Sequence, residues 1–173
     1  MMTTVYTIGH SNQPVSLLLD GLAEHEIGVL VDVRRFPRSR RNPQFNLETL
    51  SATLAKAGTE YRHVEALGGR REPAAESANA GLRDPGFRGY ADYMATTPFE
   101  QELDALIAAA SRRRLAVMCA ESLPWKCHRS LIADALLARG VEVRHILGAT
   151  LLPHTPTPAC RVGEGRVTYP SLL

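Results

Sequence analysis

Two thiols, a carboxylate, an imidazole and a guanidinium fall within eleven residues, at Cys119, Glu121, Cys127, His128 and Arg129. An apolar run, Leu115-Ala116-Val117-Met118, leads into Cys119-Ala120-Glu121. A short loop follows, and Cys127-His128-Arg129-Ser130 stand where a helix begins. No packing need accounts for that succession of reactive side chains. Cys127 is the sharper thiol, because a helix N-terminus and the flanking cations Lys126, His128 and Arg129 favour a thiolate. Such a thiolate serves as a nucleophile, a redox group or a metal ligand. The competing reading is a small apolar side chain packed under the helix, four residues from Leu131. Cys119 ends a buried strand, where core packing is expected. His128 fits a general base, a ligand or an exposed helix residue. Arg129 beside helix-start amides suits an oxyanion or phosphate cradle, or else a salt bridge to Glu121 or Asp134.

Two other strand ends carry comparable groups. Val5-Tyr6-Thr7-Ile8 ends at Gly9-His10-Ser11, and Val29-Leu30-Val31 ends at Asp32. Asp32 is placed to act as a base, or to orient Arg34 or His10. Beyond it, five arginines fall within eight residues, Arg34, Arg35, Arg38, Arg40 and Arg41, with Phe36, Pro37 and Phe45 interleaved. Cationic and aromatic side chains together suit phosphate, nucleotide or nucleic acid, although most charge runs are solvated loops. Arg70 and Arg71, in a second loop, extend that surface. Arg112-Arg113-Arg114 is a helix C-terminal cap.

Metal binding and a phosphatase-type loop are less well matched. Structural zinc prefers thiols two to four residues apart. Cys119 and Cys127 are separated by seven residues, so Cys119, Cys127 and His128 form only a weak ligand set. A cysteine-to-arginine loop would need arginine six positions after the thiol, and Trp125 and Ala133 stand there. No cofactor is called for.

The elements that must position these groups alternate between apolar runs and amphipathic segments, the pattern of an α/β layer fold. Strands are expected at Val5–Ile8, Val29–Val33, Tyr61–Val64, Leu115–Cys119 and Val141–Ile146. Helices are expected around Leu17–Leu22, Leu47–Leu54 behind the N-cap Asn46, and Phe99–Ala110 behind the N-cap Thr97. A fourth runs from Leu131 to Leu136. The pattern predicts a three-layer fold with a mostly parallel sheet of about five strands and helices on both faces. Residues 67–89 read as a long loop, and the proline-bearing tail from residue 148 as irregular chain or an edge strand. The expected organisation is a single domain over residues 1–173, with a core at 4–147 and a tail at 148–173. In such sheets ligands bind beyond the carboxyl ends of the strands, so the three reactive strand ends share one rim.

With 173 residues, 45% hydrophobic and 22% charged, and a formal net charge of +2, the chain reads as an ordinary globular protein, not a polycation. Only Lys56 and Lys126 are lysines, so arginine supplies nearly all the positive charge. Three irregularly spaced cysteines do not form a disulfide framework, no basic n-region precedes an apolar core, and no apolar run reaches the ~20 residues of a membrane span. A reducing cytoplasm and no membrane partner are therefore expected.

In combination, several motifs resemble the domain-of-unknown-function 488 family. They are Thr7-Ile8-Gly9-His10-Ser11, Val31-Asp32-Val33-Arg34-Arg35-Phe36-Pro37-Arg38-Ser39, Pro43-Gln44-Phe45, Leu67-Gly68-Gly69-Arg70, Phe87-Arg88-Gly89-Tyr90 and Met118-Cys119-Ala120-Glu121 with Cys127-His128-Arg129. The resemblance runs from the first strand to about His154. It implies a compact bacterial or archaeal cytosolic α/β protein whose motif residues share one site, and it implies no reaction.

The residues themselves point to an enzyme acting on an anionic substrate, a nucleotide, nucleic acid or phosphorylated metabolite. Cys127, His128, Glu121, Asp32 and His10 are the candidate catalytic groups. Arg34, Arg35, Arg38, Arg129, Ser11, Arg70, Arg71 and Tyr90 are the candidate anion contacts. The alternatives are a non-catalytic nucleic-acid-binding module built on the arginine loop, and a metal-binding protein built on the Cys/His cluster.

Overall fold

A computed structural model describes residues 2–172. Its main sheet has six strands in the order β3-β2-β4-β1-β5-β6. The strands are β1 (Thr4–Gly9), β2 (Val29–Asp32), β3 (Glu60–His63), β4 (Leu115–Cys119), β5 (Glu142–Leu147) and β6 (Thr150–Pro153). All neighbours pair parallel except β5 and β6, which pair antiparallel. The helices are α1 (Val15–Glu24), α2 (Leu47–Lys56), α3 (Pro85–Tyr93), α4 (Thr97–Ala110) and α5 (Arg129–Ala138). Among the described residues, no helix is long and apolar enough to cross a membrane.

Alternation along the strands builds two cores. Val29, Val31, Leu115, Val117 and Cys119 face one side with Tyr90, Phe99, Leu103 and Leu131 from α3, α4 and α5. Leu30, Ala116, Met118, Tyr6 and Ile8 face the other, with Leu18, Leu22, Leu50 and Leu54 from α1 and α2. Central parallel strands are covered on both faces, which is why β2 and β4 read as unbroken apolar runs. This is the three-layer fold expected, with one more strand in the main sheet and one more helix.

The differences have local causes. Helix α3 begins inside the stretch read as a loop and runs four residues past it. Asp84 caps it by accepting the Phe87 amide at 3.0 Å, and Pro85 opens its first turn. Its glycines hid it. Gly89 is needed because a Cβ there would lie 1.9 Å from the Arg71 carbonyl oxygen. Thr96 holds the N-cap position of α4, one residue before the expected one, and its hydroxyl donates to Tyr93 O at 2.7 Å and not to the helix. Asn46 precedes α2 but its side chain accepts the Ser39 amide instead, at 2.7 Å, and so pins the arginine loop. The tail supplies the edge strand β6 and adds a hairpin of β7 (Arg161–Gly163) and β8 (Arg166–Thr168).

The order β2-β4-β1 makes the three reactive strand ends immediate neighbours on one rim. Pairing continues past the strands: the His10 amide donates to Cys119 O at 3.0 Å, Ser11 to Ala120 O at 2.9 Å, and Val33 to Met118 O at 2.9 Å. Gly9 permits this approach, since a Cβ there would lie 1.7 Å from Glu121 O.

Candidate functional site

A cleft of about 310 Å³ opens on this rim, large enough for a small ligand. Cys119, Ala120, Glu121, Cys127 and His128 form one wall. Arg34, Arg35, Phe36, Arg38, Gly69 and Arg70 form the other. The β4–α5 connection supplies the first wall. After β4, Pro124–Lys126 make one turn of 3-10 helix, Cys127 is extended, and α5 starts at Arg129.

Cys127 is 9% exposed, and its sulfur is surrounded by donors. The Arg129 amide reaches Sγ at 3.3 Å, the Arg129 Nε at 3.3 Å, and the Cys119 thiol at 3.0 Å. The hydrogen bond from Cys119, aided by the Arg129 cation and its two donors, outweighs burial and brings Cys127 down to about 6. Cys119 moves the opposite way. Burial raises it, and donation to its neighbour holds its proton in place. Of the two, Cys127 is the thiol pulled towards ionisation and Cys119 the one that holds its proton more tightly.

Arg129 is fully buried and does not reach the cleft. It was expected to hold a ligand anion or to bridge to a carboxylate. Instead NH2 donates to the carbonyls of Glu121 at 2.6 Å and Ser122 at 3.2 Å, NH1 donates to Thr7 Oγ1 at 3.0 Å, and Nε faces Cys127. The helix-start cradle is occupied by the protein's own sulfur.

His128 lines the cleft with Nε2–H donated to Val33 O at 2.9 Å, which leaves Nδ1 as an acceptor. Burial lowers His128 to about 4, so the ring is neutral at physiological pH. Glu121 is exposed at the cleft edge.

Asp32 and His10 do not reach the cleft. Asp32 is fully buried and takes Nε and NH2 of Arg34, at 2.9 and 2.7 Å, and the Tyr61 hydroxyl at 2.5 Å. It orients Arg34, the second of its two expected roles. His10 donates Nδ1–H to Ser11 O at 2.6 Å, accepts from Arg34 NH1 at 3.3 Å and stacks on Phe45. Burial lowers its pKa, with Arg34 adding to the effect. Arg34 gives a further hydrogen bond to Phe45 O at 2.8 Å, so only one NH1 proton stays free for a ligand.

The outer arginines are looser. Arg38 pairs with Glu48 at 2.8 Å on the surface, and Arg35 lies 3.5 Å from Glu65. Phe36 is 61% exposed, with the Arg35 and Arg70 guanidinium carbons 5.4 and 5.9 Å from its ring centroid. Besides Arg129, three more proposed anion contacts lie off the cleft. Arg71 packs over Tyr93 and donates to Gly68 O and Glu65 O. Tyr90 is buried, its hydroxyl bonded to Leu67 O at 2.8 Å. Ser11 lines a different hollow, beside α1. Among the described residues, no group of three or more His, Cys, Asp or Glu gathers as a metal site, and His128 adds no third ligand to the thiols.

Sequence reasoning missed a buried run that starts at Arg129. Thr7 Oγ1 lies 2.6 Å from His145 Nδ1, His145 Nε2 lies 2.9 Å from His154 Nδ1, and His154 Nε2 lies 2.8 Å from Asp134 Oδ1. The Asp134 carboxylate fixes the tautomers, so each group donates toward it. Asp134 also accepts the Tyr169 hydroxyl at 2.7 Å and the Thr157 amide at 3.0 Å, tying the tail to α5. Burial, with His154 and Arg129 nearby, lowers His145 to about 3. Apolar neighbours on β5 and β6 gave no hint that these histidines meet. A larger, mostly apolar cavity of about 470 Å³ lies beside them, lined by Leu82, Phe87, Trp125 and Leu152. Its histidines spend their ring nitrogens within this run, so the reactive groups belong to the smaller cleft.

Comparison with curated proteins and with solved structures finds no match. A family model matches residues 15–136, a span that holds both walls of the cleft and Arg129. The chain belongs to that family, described as domain of unknown function DUF488.

Proposed function

We propose that this chain is a thiol enzyme for a small phosphate-bearing substrate, with Cys127 as the nucleophile. The observation that carries the reading is the environment of one sulfur. Cys127 faces a cleft whose opposite wall is arginine, while its own thiolate is held by Arg129 and Cys119. A stabilised thiolate at neutral pH is the reactive form. The phosphate rests on Arg35, Arg38 and Arg70, and the exposed Phe36 ring offers an apolar face to a base or other flat group. Glu121 is the cleft's exposed carboxylate and the group placed to exchange protons with solvent. Neutral His128 accepts a hydrogen bond at Nδ1.

A non-catalytic nucleic-acid module would use the same arginines and would not need the paired thiols. Iodoacetamide alkylation of Cys127 across pH, with and without inorganic phosphate or a nucleotide, tests the reading. The expected result is a midpoint near pH 6 and protection by the anion. An ordinary midpoint near the ~8.5 of free cysteine, with no protection, overturns it.

A further inference from the structure

The two sulfurs do more than share a proton. We infer that Cys119 and Cys127 form a redox-active dithiol that reduces a small organic disulfide by exchange, with Cys127 attacking and Cys119 resolving. The inference rests on the thiolate reading above and adds a second reacting atom and a second class of substrate.

The geometry carries it. The Sγ atoms are 3.0 Å apart, and both residues line the cleft. Cys119 ends β4, and Cys127 is the extended residue between the Pro124–Lys126 turn and the start of α5. A covalent S–S bond of about 2.0 Å is thus reached by a small approach. The remaining cysteine, Cys160, lies in the tail and is not part of the cleft.

The steps balance. The Cys127 thiolate attacks one sulfur of R–S–S–R, the S–S bond breaks, and RS⁻ leaves while Cys127–S–S–R forms. Capping removes the negative charge that had held the Cys119 proton, and the Arg129 cation stays beside both sulfurs. Cys119 then gives its proton to solvent and its sulfur attacks the Cys127 sulfur, expelling the second RS⁻. The pair loses two electrons and the organic disulfide gains them. Arg35, Arg38 and Arg70 across the cleft favour a disulfide that carries anionic groups.

The probe is the dicarboxylate 5,5′-dithiobis(2-nitrobenzoate), used on the reduced full chain and on Cys160→Ser, which removes the tail thiol. The expected result is release of two equivalents of nitrothiobenzoate per Cys160→Ser chain, no retained adduct, and a tryptic disulfide joining Leu115–Lys126 to Cys127–Arg129. Dithiothreitol restores the starting mass. Adding Cys119→Ser should stop the reaction at one equivalent with the adduct retained on Cys127. If the Cys160→Ser chain itself keeps a stable adduct, Cys119 does not resolve and this inference falls, while the thiolate reading stands. If Cys127 does not react at all, both fall. The linked peptides are sought in the unsubstituted chain as well, so the result does not depend on a variant folding. Arg70→Ala should slow this dianionic probe more than it slows neutral 2,2′-dithiodipyridine. Equal slowing removes the preference for an anionic disulfide.

Discussion

Two arginines are buried on the same rim, and they face different anions. Arg34 meets the Asp32 carboxylate at the end of β2, and Arg129 meets the Cys127 sulfur at the start of α5. The Asp32 carboxylate is fully buried, enclosed by Arg34 and Tyr61, and does not line the cleft. Its ion pair fixes a loop. Cys127 is an anion only while its thiol is ionised, and one side of it is open to a ligand. The same guanidinium device therefore holds a buried carboxylate at one strand end and, in the function proposed above, a reactive thiolate at the other. What differs is whether anything else can reach the partner.

Breaking each half separately sharpens the contrast. The largest effect is expected from Cys127→Ser, which should reduce alkylation of the cleft to background while leaving the fold intact. Next comes Asp32→Asn, which strands the Arg34 cation and should cost ~3–5 kcal/mol in urea unfolding. The alkylation midpoint of Cys127 should not move, and a moved midpoint would show that the two arginine clusters act as one. Arg129→Met should disturb both properties. Carbonyls of Glu121 and Ser122 lose their donor, at roughly 1–3 kcal/mol for each group left unpaired, and the thiol midpoint should rise from about 6 towards ~8.5. At pH 7 the thiolate fraction, and with it the alkylation rate, should fall on the order of tenfold or more.

The pH dependence of folding follows in a definite direction. The folded thiol ionises near 6 and the unfolded one near ~8.5. The unfolded chain binds more protons between those values, so stability relative to Cys127→Ser should rise from pH 6 to about 8.5. Below 6 the gain should vanish. Parallel urea midpoints across that window would contradict the low thiol pKa. The smallest effect is expected from Arg38→Ala. Its exposed pair with Glu48 contributes ~0–1 kcal/mol, so stability should barely change while phosphate protection of Cys127 weakens.

Much of the site was legible because it lies in short contiguous motifs. The apolar run into Cys119, the helix start after Cys127 and the arginines after Asp32 are local patterns, and parallel strand order then places their ends together. The roles of individual side chains were not legible. Arg129, His10, Asp32 and Tyr90 carry the right chemistry in the right motifs, yet each is buried with partners of its own. Burial depends on what covers a residue, and the cover comes from elements distant in sequence. The same reason hid the run from Thr7 through His145 and His154 to Asp134, whose members come from β1, β5, the end of β6 and α5. Helix α3 was hidden differently: two glycines masked a helix whose close packing against Arg71 requires one of them.

By itself the amino-acid sequence determined the α/β layering, the parallel strands and the rim on which the candidate groups end. Periodicity and capping act over a few residues, and the family's motifs are contiguous. Tertiary structure decided which arginines face the cleft, that two cysteines eight positions apart touch, and that their surroundings push the Cys119 thiol up and the Cys127 thiol down. Those outcomes depend on distances of a few ångströms between separate elements and on exclusion of water from between them, and no spacing along the chain encodes either.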